Sequence, residues 1–163
     1  MIQFEVLGTP APKGSTRAML IGGRPRVIAS GTTVNQQKLK AWDVAVREAA
    51  REAIGDASAP PFVKVPVRIA ITFRMARPSG HYSKATGKLK PSAPSYPTTK
   101  PDSSKLLRQT EDTLTGIVFD DDARIVQTFV EKLYAEPGDE GAVIIVEAMS
   151  SVATSCATVE GDG

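Results

Sequence analysis

The stretch Val65–Met75 constrains the fold more than any other part of the chain. Val65, Val67, Ile69, Ile71, Phe73 and Met75 recur on every second residue, while Arg68, Thr72 and Arg74 fall between them with Ala70. A period of two with one apolar set is the pattern of a strand buried on one face. The chain is therefore committed to a sheet that something must cover. Asn35–Ile54 supplies a cover: Leu39, Trp42, Val46, Ala49, Ala50 and Ala53 recur at three- and four-residue spacing, and Gly55 stops the helix. Trp42 reads as a core anchor rather than a base-stacking ring. A second helix is predicted over Asp102–Thr115, with Leu106, Leu107, Thr110 and Leu114 inward, Asp102 or Ser103 capping its start and Gly116 closing it. Lys105, Arg108 and Asp112 share another stripe of that helix.

Further strands are expected at Ile2–Leu7, at Arg17–Ile21 and Pro25–Ile28 as a hairpin about Gly22-Gly23, and at Ile125–Tyr134 and Ala142–Ala148 as a second hairpin through Pro137–Gly141. The sum is an α+β chain: one small domain over residues 1–148, a mixed sheet with two main helices, and a flexible small-residue tail over 149–163.

Composition narrows the function. With 163 residues and 41% hydrophobic content, the chain can bury a core without disulfides or a structural metal. One Cys, Cys156, cannot bridge internally, and one His, His81, excludes the usual His/Cys zinc site and any Ser-His or Cys-His pair of weight. Apolar runs fall well short of the roughly 20 residues needed to cross a bilayer, and no secretory signal opens the chain. A reducing cytoplasmic setting is expected.

The net charge of +2 conceals an asymmetry. Up to Arg108 there are 18 Lys+Arg against 6 Asp+Glu; from Gln109 onward there are 2 against 12. A basic block suggests a polyanion partner. The hairpin region carries Lys13, Arg17, Arg24 and Arg26, and the strand Val65–Met75 adds Arg74 on its polar face. The long breaker-rich loop Arg77–Lys100 carries Arg77, Lys84, Lys88, Lys90 and Lys100 with His81, Tyr82 and Tyr96 and no acid. Cations with interleaved rings suit phosphates and unstacked bases, so this loop is a candidate mobile nucleic-acid clamp, or else an ordinary solvated loop.

Three consecutive acids, Asp120, Asp121 and Asp122, follow the second helix. Their mutual repulsion is relieved by a hard divalent cation such as Mg²⁺, which takes carboxylate oxygens, waters and phosphate. Asp102, Asp121 and Asp122, with Lys105 and Arg108 between them in sequence, have the residue types of a phosphodiester hydrolase; on spacing alone a solvated Asp-rich turn and a plain N-cap are the favoured explanation, because Asp-rich turns are common.

The run Lys100-Pro-Asp-Ser-Ser-Lys-Leu-Leu-Arg108, then Asp112-Thr-Leu-Thr-Gly116, then Phe119-Asp-Asp-Asp-Ala-Arg124 resembles the RusA family of Holliday junction resolvases, which is frequent in phages and prophages. Gly8-Thr-Pro-Ala-Pro-Lys13, Leu89-Lys-Pro-Ser-Ala-Pro94 and Tyr96-Pro-Thr98 are similar too, in the same order over about residues 1–148. The resemblance implies a small mixed α/β homodimer that binds four-way DNA junctions and makes paired symmetric nicks with Mg²⁺, Mn²⁺ substituting. It implies catalytic and metal roles for Asp102, Asp121 and Asp122. Asp120 falls on the variable position, and Arg108 falls where the family has a Lys. An Arg neutralises charge on phosphate but is a poor proton donor. Phe119 stands for Tyr and Arg124 for Gln, both mild changes.

Ser104 stands where the family pattern has a second metal-binding Asp. Either Asp112 or Glu111 compensates, or Ser104 reaches the metal through a water, or the protein binds junctions and cuts them poorly. The implied DNA contacts are Lys13, Arg17, Arg24, Arg26, Arg74, Arg77, Lys84, Lys88, Lys90, Lys100 and Lys105. Two other classes stay open: a DNA-binding protein with a degenerate site, and an acidic-loop protein that binds Ca²⁺ or a basic partner.

Overall fold

The computed structural model describes residues 1–13, 16–21, 24–29 and 33–149, with side chains over 1–13 and 33–149. The elements in chain order are β1 (Ile2–Leu7), β2 (Thr16–Ile21), β3 (Arg24–Ala29), α1 (Thr33–Ile54), β4 (Val67–Met75), α2 (Ser103–Leu114), β5 (Ile125–Tyr134) and β6 (Gly141–Ala148). The α+β reading holds. The side chains of Arg17, Arg24 and Arg26, and the whole of 150–163 with Cys156, lie outside the described residues.

The sheet runs β1-β6-β4-β5, and β2 and β3 pair separately. β4 is antiparallel to β6 and parallel to β5. Its alternation explains its central place. Val67, Ile69, Ile71 and Phe73 are fully buried beneath α1 and α2, and burying each such side chain is worth roughly 1.5–3 kcal/mol. Phe4, Val6, Ala142, Ile144 and Val146 extend the same layer, and Trp42 meets Phe73 at 6.4 Å between ring centres. Trp42 is thus a core anchor.

One expectation fails here. β5 and β6 do not form a hairpin, because β4 lies between them. β4 and β6 each have a continuous buried apolar face, so the best burial is reached when both have a neighbour on each edge. β5, whose Val126, Gln127, Thr128 and Phe129 are all exposed, goes to the rim. A parallel β4–β5 pair requires a crossover, and α2 is its helix.

The two helices are joined by a polar contact the apolar stripe did not reveal. Asp43 on α1 accepts from Gln109 Nε2 at 2.7 Å and from Thr113 Oγ1 at 3.0 Å. Gln109 and Thr113 are buried, so this pair of bonds satisfies groups that would otherwise be costly. On the opposite face of the sheet, Arg68 pairs with Glu147 and Arg74 with Glu5. No helix among the described residues is long and apolar enough to cross a membrane.

Gly141 opens β6 between Leu7 and Arg74. A Cβ there would stand 1.9 Å from the Val6 carbonyl oxygen, whereas a Cβ on Gly138 would meet nothing within 4 Å. Gly141→Ala is expected to cost about 2–4 kcal/mol in urea unfolding, by backbone clash and strain. Gly138→Ala should cost only the roughly 1–2 kcal/mol of its left-handed backbone.

Candidate functional site

α2 carries acidic groups at both ends. Asp102 occupies the N-cap position with extended backbone, and its carbonyl accepts from Lys105 and Leu106. Its carboxylate caps nothing; it faces Lys105 Nζ at 3.2 Å and is half exposed. The expected side-chain cap is therefore absent, which leaves this carboxylate available for a ligand. Lys132 on β5 anchors the segment just before it, donating to Thr99 O at 3.0 Å and Pro101 O at 2.9 Å.

At the other end, Gly116 turns the chain with φ of +79° and Ile117–Phe119 plugs into the core. Phe62 N–H donates to Val118 O, and Asp120 N–H to Phe62 O, which fixes the acidic turn. The three consecutive acids then divide. Asp120 is structural: Arg124 donates to both its oxygens at 3.2 Å and Lys64 N–H adds a bond, which together hold its carboxyl below the usual range. Asp121 accepts from Ala123 N–H at 2.8 Å and starts a 3-10 turn over Asp122–Arg124. Asp122 is exposed and lies within electrostatic reach of Glu111.

Glu111 is the residue here that spacing underweighted. Burial raises its carboxyl above the ordinary glutamate value, and the charges of Asp122 and then Asp112 raise it further, against a lowering by Arg108. Asp112 itself faces Lys13 Nζ at 3.4 Å. The acidic group at this end is thus Glu111, Asp112 and Asp122, with Asp121 next in sequence.

The two ends do not meet. α2 has 12 residues, and a helix of that length is about 18 Å long. Oxygens bound to one Mg²⁺ at ~2.1 Å lie no more than about 4 Å apart. Asp102 is tied by Pro101 to Lys132, near the last residues of β5, whereas Asp121 and Asp122 precede its first. Among the described residues no three His, Cys, Asp or Glu side chains converge to hold a metal ion. The donors have the right chemistry for a hard cation, but one chain does not assemble them. Ser104 is exposed on the first turn of α2, and Arg108 is exposed between the two ends.

The basic residues are placed unevenly. The segment Arg77–Lys100 is not structureless: it forms a 3-10 turn at Ser79–His81, a Tyr82–Leu89 bridge, and bonds from Ser83 N–H to Lys88 O and from Lys90 N–H to His81 O. Arg77 stacks 4.0 Å over Tyr134 and donates to Pro94 O, His81 packs edge-on to Tyr134, and Lys90 Nζ bonds Gly80 O. Lys84, Lys88 and Lys100 are exposed, with no ion pair among the described residues. Lys13 and Lys105 each face an acid of the site, and Arg74 is held by Glu5 on the far face of the sheet.

Comparison with known proteins adds one match. The family model described as endodeoxyribonuclease RusA matches residues 12–147, most of the 163-residue chain. No curated protein sequence matches.

A raised Glu111 carboxyl makes its ionised form less favourable in the folded chain than in the unfolded one. Its contribution to stability is therefore present below the ordinary value of 4.5 and is lost as pH rises through the higher folded value. Glu111→Gln is expected to raise Tm at pH 7.5 by about 1–4 °C, measured with chelator present, with the gap closing at pH 4.

Proposed function

Because the chain belongs to the endodeoxyribonuclease RusA family, we propose that it resolves four-way DNA junctions by paired, symmetric, metal-dependent hydrolysis, working as a homodimer in the cytoplasm of a bacterium or phage-infected host. Family membership itself makes it an endodeoxyribonuclease acting on Holliday junctions. The metal, the residues and the assembly are the proposal.

The observation that carries the dimer is the separation of the carboxylates. Asp102 is at one end of α2, and Asp121 and Asp122 are beyond the other. A second chain related by a two-fold axis can lay one end against the other twice, making two equivalent sites, each with Asp102 from one copy and Asp121 and Asp122 from its partner. Two symmetric sites suit a junction whose two opposed strands are cut alike. A divalent cation bound there supplies charge neutralisation at the phosphoryl group. Mg²⁺ and Mn²⁺ fit an all-oxygen donor set.

The chain's own residues do the rest. Arg108, exposed on α2, is placed to neutralise phosphate charge and does not act as a proton donor. Lys100, Lys84 and Lys88 are open to phosphate, and Arg77 and Lys90 brace the loop that presents them. Lys13 and Lys105 hold acids in the free protein and can turn to phosphate when those acids take a cation. Arg17, Arg24 and Arg26 belong to the strands β2 and β3 and stay proposed DNA contacts from sequence alone, while Arg74 is not counted because Glu5 holds it on the face of the sheet away from α2.

A second reading rests on Ser104, a neutral hydroxyl on the first turn of α2: the protein binds junctions and does not cut them. Tight, salt-sensitive binding without nicking, with nicking gained in Ser104→Asp, would establish it.

The first test is a synthetic four-way junction with Mg²⁺, Mn²⁺ or chelator. Asp122→Asn is expected to lower nicking by at least ~100-fold while junction binding persists. Nicking that survives loss of both Asp121 and Asp122 defeats the assignment.

The second test mixes Asp102→Asn with Asp122→Asn. Each alone is inactive, but a mixed dimer has one site with both substitutions and one with neither. Random exchange should restore about a quarter of wild-type sites, seen as single nicks. A mixture as inactive as its parents, beside an active wild type, places all the carboxylates of a site in one chain.

A further inference from the structure

Tyr96 is the most exposed aromatic ring among the described residues, at 64%. The chain holds it there from both sides. Two residues before it, the Pro94 carbonyl accepts from Arg77, whose guanidinium stacks on Tyr134 at 4.0 Å. Just after it Pro97 is buried, and Lys132 on β5 donates to the carbonyls of Thr99 and Pro101. Among the described residues the ring has no aromatic neighbour and its hydroxyl no hydrogen-bond partner. The other rings of the loop are engaged: His81 packs edge-on to Tyr134, and Tyr82 is half-buried in its bridge to Leu89.

The surroundings select what this ring meets. The segment Arg77–Lys100 contains cations and no acid, and Lys84, Lys88 and Lys100 are exposed. A ring displayed among such cations suits a polyanion that also offers flat faces, which is nucleic acid. Phosphate contacts by themselves do not separate a junction from one of its arms, because both present the same backbone. What differs is stacking, since bases at the point of strand exchange lose a stacking neighbour. An aromatic side chain can take that place whatever the base.

We propose that Tyr96 stacks on an unstacked base at the centre of the four-way junction, and that this contact, rather than the lysines around it, makes the loop selective for branched over linear DNA. The inference rests on the junction reading above and names the side chain that reads the branch. Position agrees with it. Tyr96 precedes Asp102 by six residues, a span of at most about 20 Å or roughly six base steps of duplex. Lys132 fixes that span at Thr99 and Pro101, so ring and carboxylate are presented to one region of the substrate.

The test measures binding by the full chain, with chelator present, to a four-way junction and to a duplex of the same arm sequence. Tyr96→Ala is expected to lower the junction-to-duplex affinity ratio by about 5- to 100-fold, the range that stacking of one base on a ring commands. Tyr96→Phe and Tyr96→Trp should keep the ratio. The salt dependence of binding should be the same in all of them, because a ring releases no counterion. A 5-iodouracil at the exchange point should photo-cross-link to the peptide that contains Tyr96, and one in the middle of an arm should not. Loss of the ratio in Tyr96→Phe as well, a salt slope flattened by Tyr96→Ala, or a cross-link that never reaches Tyr96 overturns the inference. A junction preference that survives Tyr96→Ala defeats it alone and leaves the junction reading intact. A wild type that binds junction and duplex equally defeats both.

Discussion

Everything in this chain follows from β4 being paired on both edges. Its apolar face is buried from Val67 to Phe73, as that of β6 is from Ala142 to Val146, and these two strands take the inner places of the sheet, under the helices. Once β5 pairs with β4 in parallel, the chain between them has to travel back along the sheet, and α2 is that return path. The return path carries the acids proposed for the site. Asp102 begins it, and Asp121 and Asp122 end it, so the topology that buries β4 also holds the acids apart. The separation follows from the connection and cannot be repaired by a rotamer change.

The charges of the free protein are balanced locally in a way that the two charge blocks do not suggest. Asp102 faces Lys105, Asp112 faces Lys13, and Asp120 is bound by Arg124. The first two are partly exposed pairs, weak and easily exchanged. Asp120 differs from the other two: its bonds to Arg124 and Lys64 make it part of the turn. Glu111 beside Asp122 is different again, with a carboxyl raised by burial and by its acidic neighbours. This acidic pair is at the end of α2 remote from Asp102, and the exposed Lys84, Lys88 and Lys100 are in the loop leading to Asp102.

Much of this was legible in the residues. The period of β4, the stripe of α1 and the stop at Gly116 predicted their elements because each is a local pattern that burial then uses. The placing of Trp42 in the core followed from the same stripe. What was not legible was pairing. Two adjacent strands with a turn between them read as a hairpin, and nothing within Ile125–Tyr134 or Gly141–Ala148 says that β4 will lie between them. The Asp43–Gln109–Thr113 contact was hidden for a similar reason, since a polar residue on a helix is assigned to solvent until a partner on another element is known. The loop after β4 looked structureless because its order comes from backbone bonds and from packing on Tyr134. In the site, order and identity of the acids were readable, but their distance was not, because it depends on the direction in which α2 runs.

Ser104 looks different once that direction is known. In sequence it is a missing carboxylate beside Asp102, and the natural question is which neighbour on the same helix replaces it. Glu111 and Asp112 are the candidates by type, yet they are two turns or more along α2, at about 1.5 Å per residue, and face the Asp122 end. In one chain they cannot stand in for residue 104. In the proposed two-fold pair the Asp122 end of one copy would meet the Asp102 end of the other, and Glu111 would come with it. The carboxylate count of a site would then be a property of two chains, and a serine in one copy's helix would be offset by an acid from the other. Compensation of that kind would leave no trace in the spacing of a single motif, since the two residues would belong to different molecules.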